Sequence, residues 1–195
     1  MNPKLKAEFG RGLLAAWLTA KGDPRGAFMV SGDFAECKRS FFAAIVALPG
    51  MLALTSFKLE TLSDVDTFRY VLVELISYAM GWAAFPLVAL GVSRQIGRFQ
   101  NWARYITVYN WASVIILSLV IPVSLLVNSP AIAQNLGGII GIMLMVVIVG
   151  YGWRLARLVL LASPLQAGVL TALDLMLSFA IDSLSNHLAM GGGLF

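Results

Sequence analysis

Asp174, Ser178 and Asp182 stand four residues apart in the run Ser163–Ser185, SPLQAGVLTALDLMLSFAIDSLS. On a helix, positions i, i+4 and i+8 share one face, so these side chains form a polar track through an otherwise apolar segment. Carboxylates so placed can exchange protons, hold cations or hydrogen-bond neighbouring helices. A carboxylate midway along a membrane span costs about 2.5–3.5 kcal/mol when it faces lipid, so Asp174 must face other helices or enclosed water. Glu74, near the start of another apolar run, is a second intramembrane acid, and Tyr109 and Asn110 offer polar company. Asn110 has donors and an acceptor and can satisfy Asp174 whether ionised or protonated. Asp174 lies about nine residues, roughly 14 Å, into its helix, and Asn110 about six residues, roughly 9 Å, from the same side. These depths predict that the two helices are neighbours, with Asp174 hydrogen-bonded to Asn110 or Tyr109.

Other chemistry has little material. His187 is the sole histidine, five residues beyond Asp182, which leaves neither a histidine-based zinc site nor a Ser-His-Asp arrangement. Cys37 has no second thiol, and no phosphate-cradling glycine loop occurs. The expectation is a non-enzymatic protein with no catalytic residues, no cofactor and no metal.

The elements that must position these acids are membrane spans. The 195 residues are 59% hydrophobic and only 12% charged, and the mean hydropathy is +0.83. About 20 apolar residues cross a roughly 30 Å hydrocarbon layer. Five runs qualify: Phe41–Phe57, Tyr70–Val92, Tyr105–Val127, Leu136–Trp153 and Ser163–Ser185. Asp33 with Glu36, Ser63 with Asp66, Ser129 with Pro130, and Ser163 with Pro164 and Gln166 supply helix-start signals. Pro49, Pro86 and Pro122 sit inside three of the runs, as packing kinks or, in the alternative, as transport hinges. Gly137, Gly138 and Gly141 include a spacing that lets another backbone approach.

Lys4, Lys6, Arg11, Lys21, Arg25, Lys38 and Arg39 precede the first run; Arg94, Arg98 and Arg104 separate the second and third; Arg154 and Arg157 separate the fourth and fifth. Together they are 12 of the 14 basic residues. The positive-inside rule then places the amino end in the cytoplasm and the carboxyl end outside. Ahead of the spans, Leu5, Phe9, Leu13, Ala16 and Trp17 recur at helical spacing opposite Lys4, Glu8, Arg11 and Thr19, the pattern of an amphipathic helix lying in the interface. Residues 1–32 thus form a cytoplasmic segment, 33–188 the transmembrane domain and 189–195 a flexible outer tail. Arg94, Arg98, Trp102, Arg104, Arg154 and Arg157 are expected to touch anionic headgroups or a docking partner rather than nucleic acid. A membrane-protein partner or a second copy of the chain is the other partner compatible with such a surface.

Five spans, the Tyr109-Asn110-Trp111 motif and the region from Tyr151-Gly152-Trp153-Arg154 to Leu173-Asp174-Leu175 resemble bacterial members of the Yip1-like membrane family. The resemblance covers roughly residues 41–188 and implies an α-helical integral membrane protein. Eukaryotic members of that family are linked to Rab GTPases and membrane traffic, but the chain has no clear counterpart of their cytosolic motifs. The expected fold class is all-α, a polytopic membrane helical bundle of five transmembrane helices preceded by an amphipathic interfacial helix. The leading functional expectation is a protein that organises membrane or a partner complex; the alternative is a small proton- or cation-coupled transporter using Asp174. What separates them is whether Asp174 meets a substrate-sized cavity or only neighbouring side chains.

Overall fold

A computed structural model of the chain describes residues 3–60, 62, 65–127, 129 and 136–191. Among these residues all regular structure is helical: α1 Pro3–Ala20, α2 Phe34–Ser40, α3 Phe42–Glu60, α4 Thr67–Gln95, α5 Trp102–Val127, α6 Gly137–Leu158 and α7 Pro164–Ala189, with 3-10 turns at Pro24–Met29 and Phe99–Asn101. Five stretches are long and apolar enough to cross a membrane, Phe34–Glu60, Thr67–Gln95, Phe99–Val127, Gly137–Leu158 and Pro164–Ala189. They match the five expected runs and extend three to seven residues beyond seven of the ten expected ends.

The start signals explain several of those ends. Asp33 caps α2 by accepting from the Glu36 N–H at 2.6 Å. Asp66 caps α4 by accepting from the Phe68 and Arg69 N–H groups; Ser63, expected to share that role, lies outside the described residues. Ser163 and Gln166 cap α7 reciprocally, the Ser163 hydroxyl accepting from the Gln166 N–H while the Gln166 side chain accepts from the Ser163 N–H. Each such cap satisfies backbone donors that a helix start leaves open, typically for about 1 kcal/mol. Of the Ser129-Pro130 signal only Ser129 is described, and of the expected tail 189–195 the last four residues lie outside. The first span is interrupted once, at Phe41, where the Phe41 N–H turns to the Lys38 carbonyl and the Ser40 hydroxyl to the Cys37 carbonyl.

α5 is the centre of the bundle and packs on α1, α2, α3 and α6, while α4 packs mainly on α7, and α7 also on α6. α3 and α5 barely touch α4, so the five long helices make a ring that is loose on one side. Only 17–22% of the most apolar window of each long helix is buried, which leaves wide apolar faces that only an apolar surrounding can cover.

Of the three glycines expected to admit a close approach, Gly137 is buried, whereas a Cβ on Gly138 or Gly141 would meet nothing within 4 Å among the described residues. Gly12 of α1 instead lies against the Trp111 ring, Gly50 of α3 would bring a Cβ to 2.8 Å from Ile121 and 2.9 Å from Leu117, and Gly152 of α6 faces Thr171. A small-x-x-x-small spacing permits an approach without saying which helix makes it.

α1 also differs from the expected interfacial helix in which face it buries. Gly12 turns toward Trp111 of α5 and Ala16 toward Tyr151 of α6, Ala15 and Thr19 close on Gly26 of the following 3-10 turn, and Phe9 packs edge-on against Phe42 and Trp111 at 5.0 and 4.7 Å. Leu13, Leu14 and Trp17 stay exposed. Small residues let α1 sit close to the bundle, which outcompetes burial of its larger side chains. The helix is then clasped by Tyr151 donating to the Ala16 carbonyl at 2.7 Å, Arg154 donating to the Ala20 carbonyl at 2.7 Å, and a two-bond Glu8–Arg39 ion pair at 2.7 and 2.9 Å. Arg154 meets α1 where its last carbonyls and its negative dipole end favour a cation.

Candidate functional site, a carboxylate-lined cavity

Inside the ring lies a cavity of about 470 Å³ lined by α3, α4, α5, α6 and α7. Its size falls in the usual range for small-molecule sites. α4 and α6 run toward the end that carries α1, here the basic end, while α3, α5 and α7 run away from it. The lining residues nearest the basic end are therefore Phe85, Tyr109, Leu155 and Asp174, and those nearest the far end include Glu74, Val120 and Asp182. All three acids, Glu74, Asp174 and Asp182, and the intervening Ser178 line this one space, as the spacing on α7 predicts.

Asp174 accepts a hydrogen bond from the Tyr109 hydroxyl, 2.9 Å to Oδ1 and 3.2 Å to Oδ2. Tyr109 is fixed from behind by the Phe85 ring at 4.5 Å and the Tyr105 ring at 6.2 Å. Of the two partners expected for Asp174, only Tyr109 reaches it. Asn110 is one residue, hence about 100° of helix turn, further on, and it points not into the cavity but toward α2. There it donates to the Ser40 hydroxyl at 2.9 Å, fully buried, with its Oδ1 lacking a protein partner. The expectation that α5 and α7 are neighbours is thereby corrected: Tyr109 bridges to α7 across the cavity, whereas the backbone of α5 packs on α1, α2, α3 and α6.

Glu74 sits at the far end, 3.4 Å from the Ser185 hydroxyl and 3.9 Å from the Lys58 ammonium. Asp182 is exposed there. No Lys, Arg or His is among the lining residues described, so Lys58 beside Glu74 is a base next to the wall and not part of it. The acids are also spread out rather than gathered: among the described residues no three His, Cys, Asp or Glu side chains come together to hold a metal ion.

The remaining walls are mostly aliphatic, from Ala47 and Met51 on α3 to Ile181 on α7, with aromatic and hydroxyl-bearing residues among them that sequence reasoning missed. Tyr78 and Trp82 stack edge-on at 6.0 Å, Tyr78 donates to the Ala44 carbonyl at 2.6 Å, and Ser77 and Ser113 also face the space. The signal was present, since Glu74, Tyr78 and Trp82 repeat the i, i+4, i+8 course of Asp174, Ser178 and Asp182. Read together, the two tracks describe two faces lining one space.

The six residues expected at headgroups or a partner divide. Arg94, stacked on Phe99 at 5.2 Å, and Arg98 are exposed at the basic end. The other four turn to protein carbonyls: Trp102 to Pro86 at 3.1 Å, Arg104 to Ser31 at 3.3 Å, Arg154 to Ala20, and Arg157 to Ala162 at 2.6 Å. The Ser31, Ala20 and Ala162 carbonyls lie at turns or a helix end, where such acceptors are left open, whereas the Pro86 carbonyl lies within α4; Arg154 stays exposed as well. Comparison with protein-family models, with curated proteins and with solved structures gives no match.

Proposed function

We propose that the protein is a non-enzymatic, multi-pass inner-membrane protein that works as a small proton- or cation-coupled transporter, with Asp174 as the carboxylate that exchanges its proton for a cation. The observation that carries this reading is that Asp174 faces a cavity of about 470 Å³ shared with Glu74 and Asp182 and lined by no basic residue. A carboxylate kept only for packing needs partners and no space beside it. Here one partner, Tyr109, holds the carboxylate in place while the cavity leaves room for a ligand. On the positive-inside assignment the basic end lies in the cytoplasm, and Glu74 and Asp182 stand on the outer side of Asp174.

The test uses protein reconstituted into liposomes that enclose a pH-sensitive dye. With an acidic interior imposed, external Na⁺, K⁺ or tetraphenylphosphonium should draw protons out through the wild-type protein, and Asp174→Asn should abolish that flux. Asparagine can still accept from the Tyr109 hydroxyl, so the variant should keep its fold. Proton movement in neither case, or equal movement in both, would refute the reading.

A membrane-organising or partner-holding role is the second reading, supported by the exposed Leu13, Leu14 and Trp17 of α1 and by exposed Arg94 and Arg98 on the same end. Membership of the Yip1-like family belongs with it. The motif residues behind that resemblance lie at helix junctions: Tyr109 on α7, Asn110 on α2, Trp111 on α1, and Tyr151 and Arg154 on α1.

A further inference from the structure

We propose that the ligand of the cavity is a monovalent organic cation with an aromatic or branched apolar body, a quaternary or protonated amine or its phosphonium equivalent. The inference rests on the transport reading above and specifies the cargo. Charge comes first: Glu74 is paired with Lys58, but Asp174 and Asp182 face the space with no base among the described lining residues, which selects against an anion. A neutral lipid tail would leave those carboxylates facing hydrocarbon, which their cost forbids. A bare metal ion is poorly served too, since the carboxylates do not converge, and such ions are held by several oxygens at about 2.0–2.6 Å.

The walls match the other part of the ligand. Tyr78 and Trp82 on α4, with Phe85 and Tyr109 nearer the basic end, present aromatic rings, and ring faces attract a cation while their bodies cover apolar groups. At roughly 30 Å³ per water, the space equals about fifteen waters, too large for one dehydrated inorganic ion and adequate for a small organic one. Tyr109 engages Asp174 from the α5 side, so the cation is expected to approach from the cavity side. Exposed Asp182 and Glu74 on the far side supply a first acidic contact on the way in. Binding to a protonated Asp174 would release one proton for each cation taken up.

The probe is tetraphenylphosphonium, measured by equilibrium dialysis against the protein in lipid nanodiscs, with protein-free nanodiscs subtracted for bilayer partitioning. The expected result is one saturable site per chain. Tetrapropylammonium should compete for it, and uncharged triphenylphosphine oxide should not. Asp174→Asn should weaken binding at least tenfold. Trp82→Ala should weaken it severalfold while Trp82→Phe retains most of it, with folding checked by gel filtration of each variant. Equal competition by the uncharged oxide would overturn the proposal, because the site would then be an apolar void. Absence of a saturable site would also overturn it. If Na⁺ or K⁺ still drove Asp174-dependent proton flux in liposomes, the transporter reading would survive with an inorganic cargo; if they did not, both would fall.

Discussion

Asp174 and Tyr109 are the residues on which the cavity turns, and their hydrogen bond makes a quantitative expectation. Interhelical hydrogen bonds within membranes contribute about 0.6 kcal/mol on average and up to about 1.7. Tyr109→Phe should therefore lower stability by roughly that amount, read as a fall in the thermal midpoint in mild detergent. The same change made on an Asp174→Leu background should cost less, since the acceptor is already gone. Equal losses on both backgrounds would mean that the hydroxyl serves something other than Asp174. Outside the spans, Asp33 has a pH signature of its own. The Ser31 hydroxyl, at 2.6 Å, and the capped Glu36 N–H hold its carboxyl below the usual aspartate value. A depressed folded value stabilises above the ordinary aspartate pKa of about 3.9 and loses that contribution as pH falls through the lower folded value. Asp33→Asn should accordingly flatten the acid limb of the stability profile, and an unchanged limb would contradict the assignment.

Among the elements, α1 is the one whose behaviour departs most from its sequence pattern, and Gly12 is the reason. The ring of Trp111 occupies the space a Cβ would need there, and overpacking of this kind typically costs about 1–3 kcal/mol. Gly12→Val should loosen α1 from the bundle and speed limited proteolysis within residues 21–33, while Gly10→Val, where a Cβ meets open space, should not. The hydrophobic pattern of α1 correctly gave a helix, because a 3.6-residue period depends only on local geometry. It did not contain the face by which α1 docks on the bundle, because large apolar residues score highest in such a pattern, whereas close docking between helices is won by small ones. The same limit hid the roles of Gly50 and Gly152. The helix caps at Asp33, Asp66 and Ser163 were legible for the opposite reason, their hydrogen bonds closing within three residues. Tyr109 over Asn110 was a matter of direction around α5, which depth along the helix does not contain.

For the whole molecule, orientation is the property on which the direction of any transport depends. Arg94, Arg98, Arg104, Arg154 and Arg157 share one end with α1, whereas Glu74, Asp182 and His187 lie toward the other. On the orientation proposed from the preference of basic connections for the cytoplasm, the amino end would lie inside and the cavity's Glu74 and Asp182 on the outer side. Cys37 would be the natural reporter, but it is 1% exposed and closed off by α5 packing, so its silence would say nothing. The measurement therefore needs a Cys37→Ala background with a single cysteine placed at exposed Arg98 or at exposed His187. A membrane-impermeant maleimide applied to cells with a permeabilised outer membrane should label the His187→Cys protein at once and the Arg98→Cys protein only after the inner membrane is broken. The reverse pattern would invert the molecule: the acidic side of the cavity would face the cytoplasm, and a cation carried through Asp174 would begin its path from within the cell.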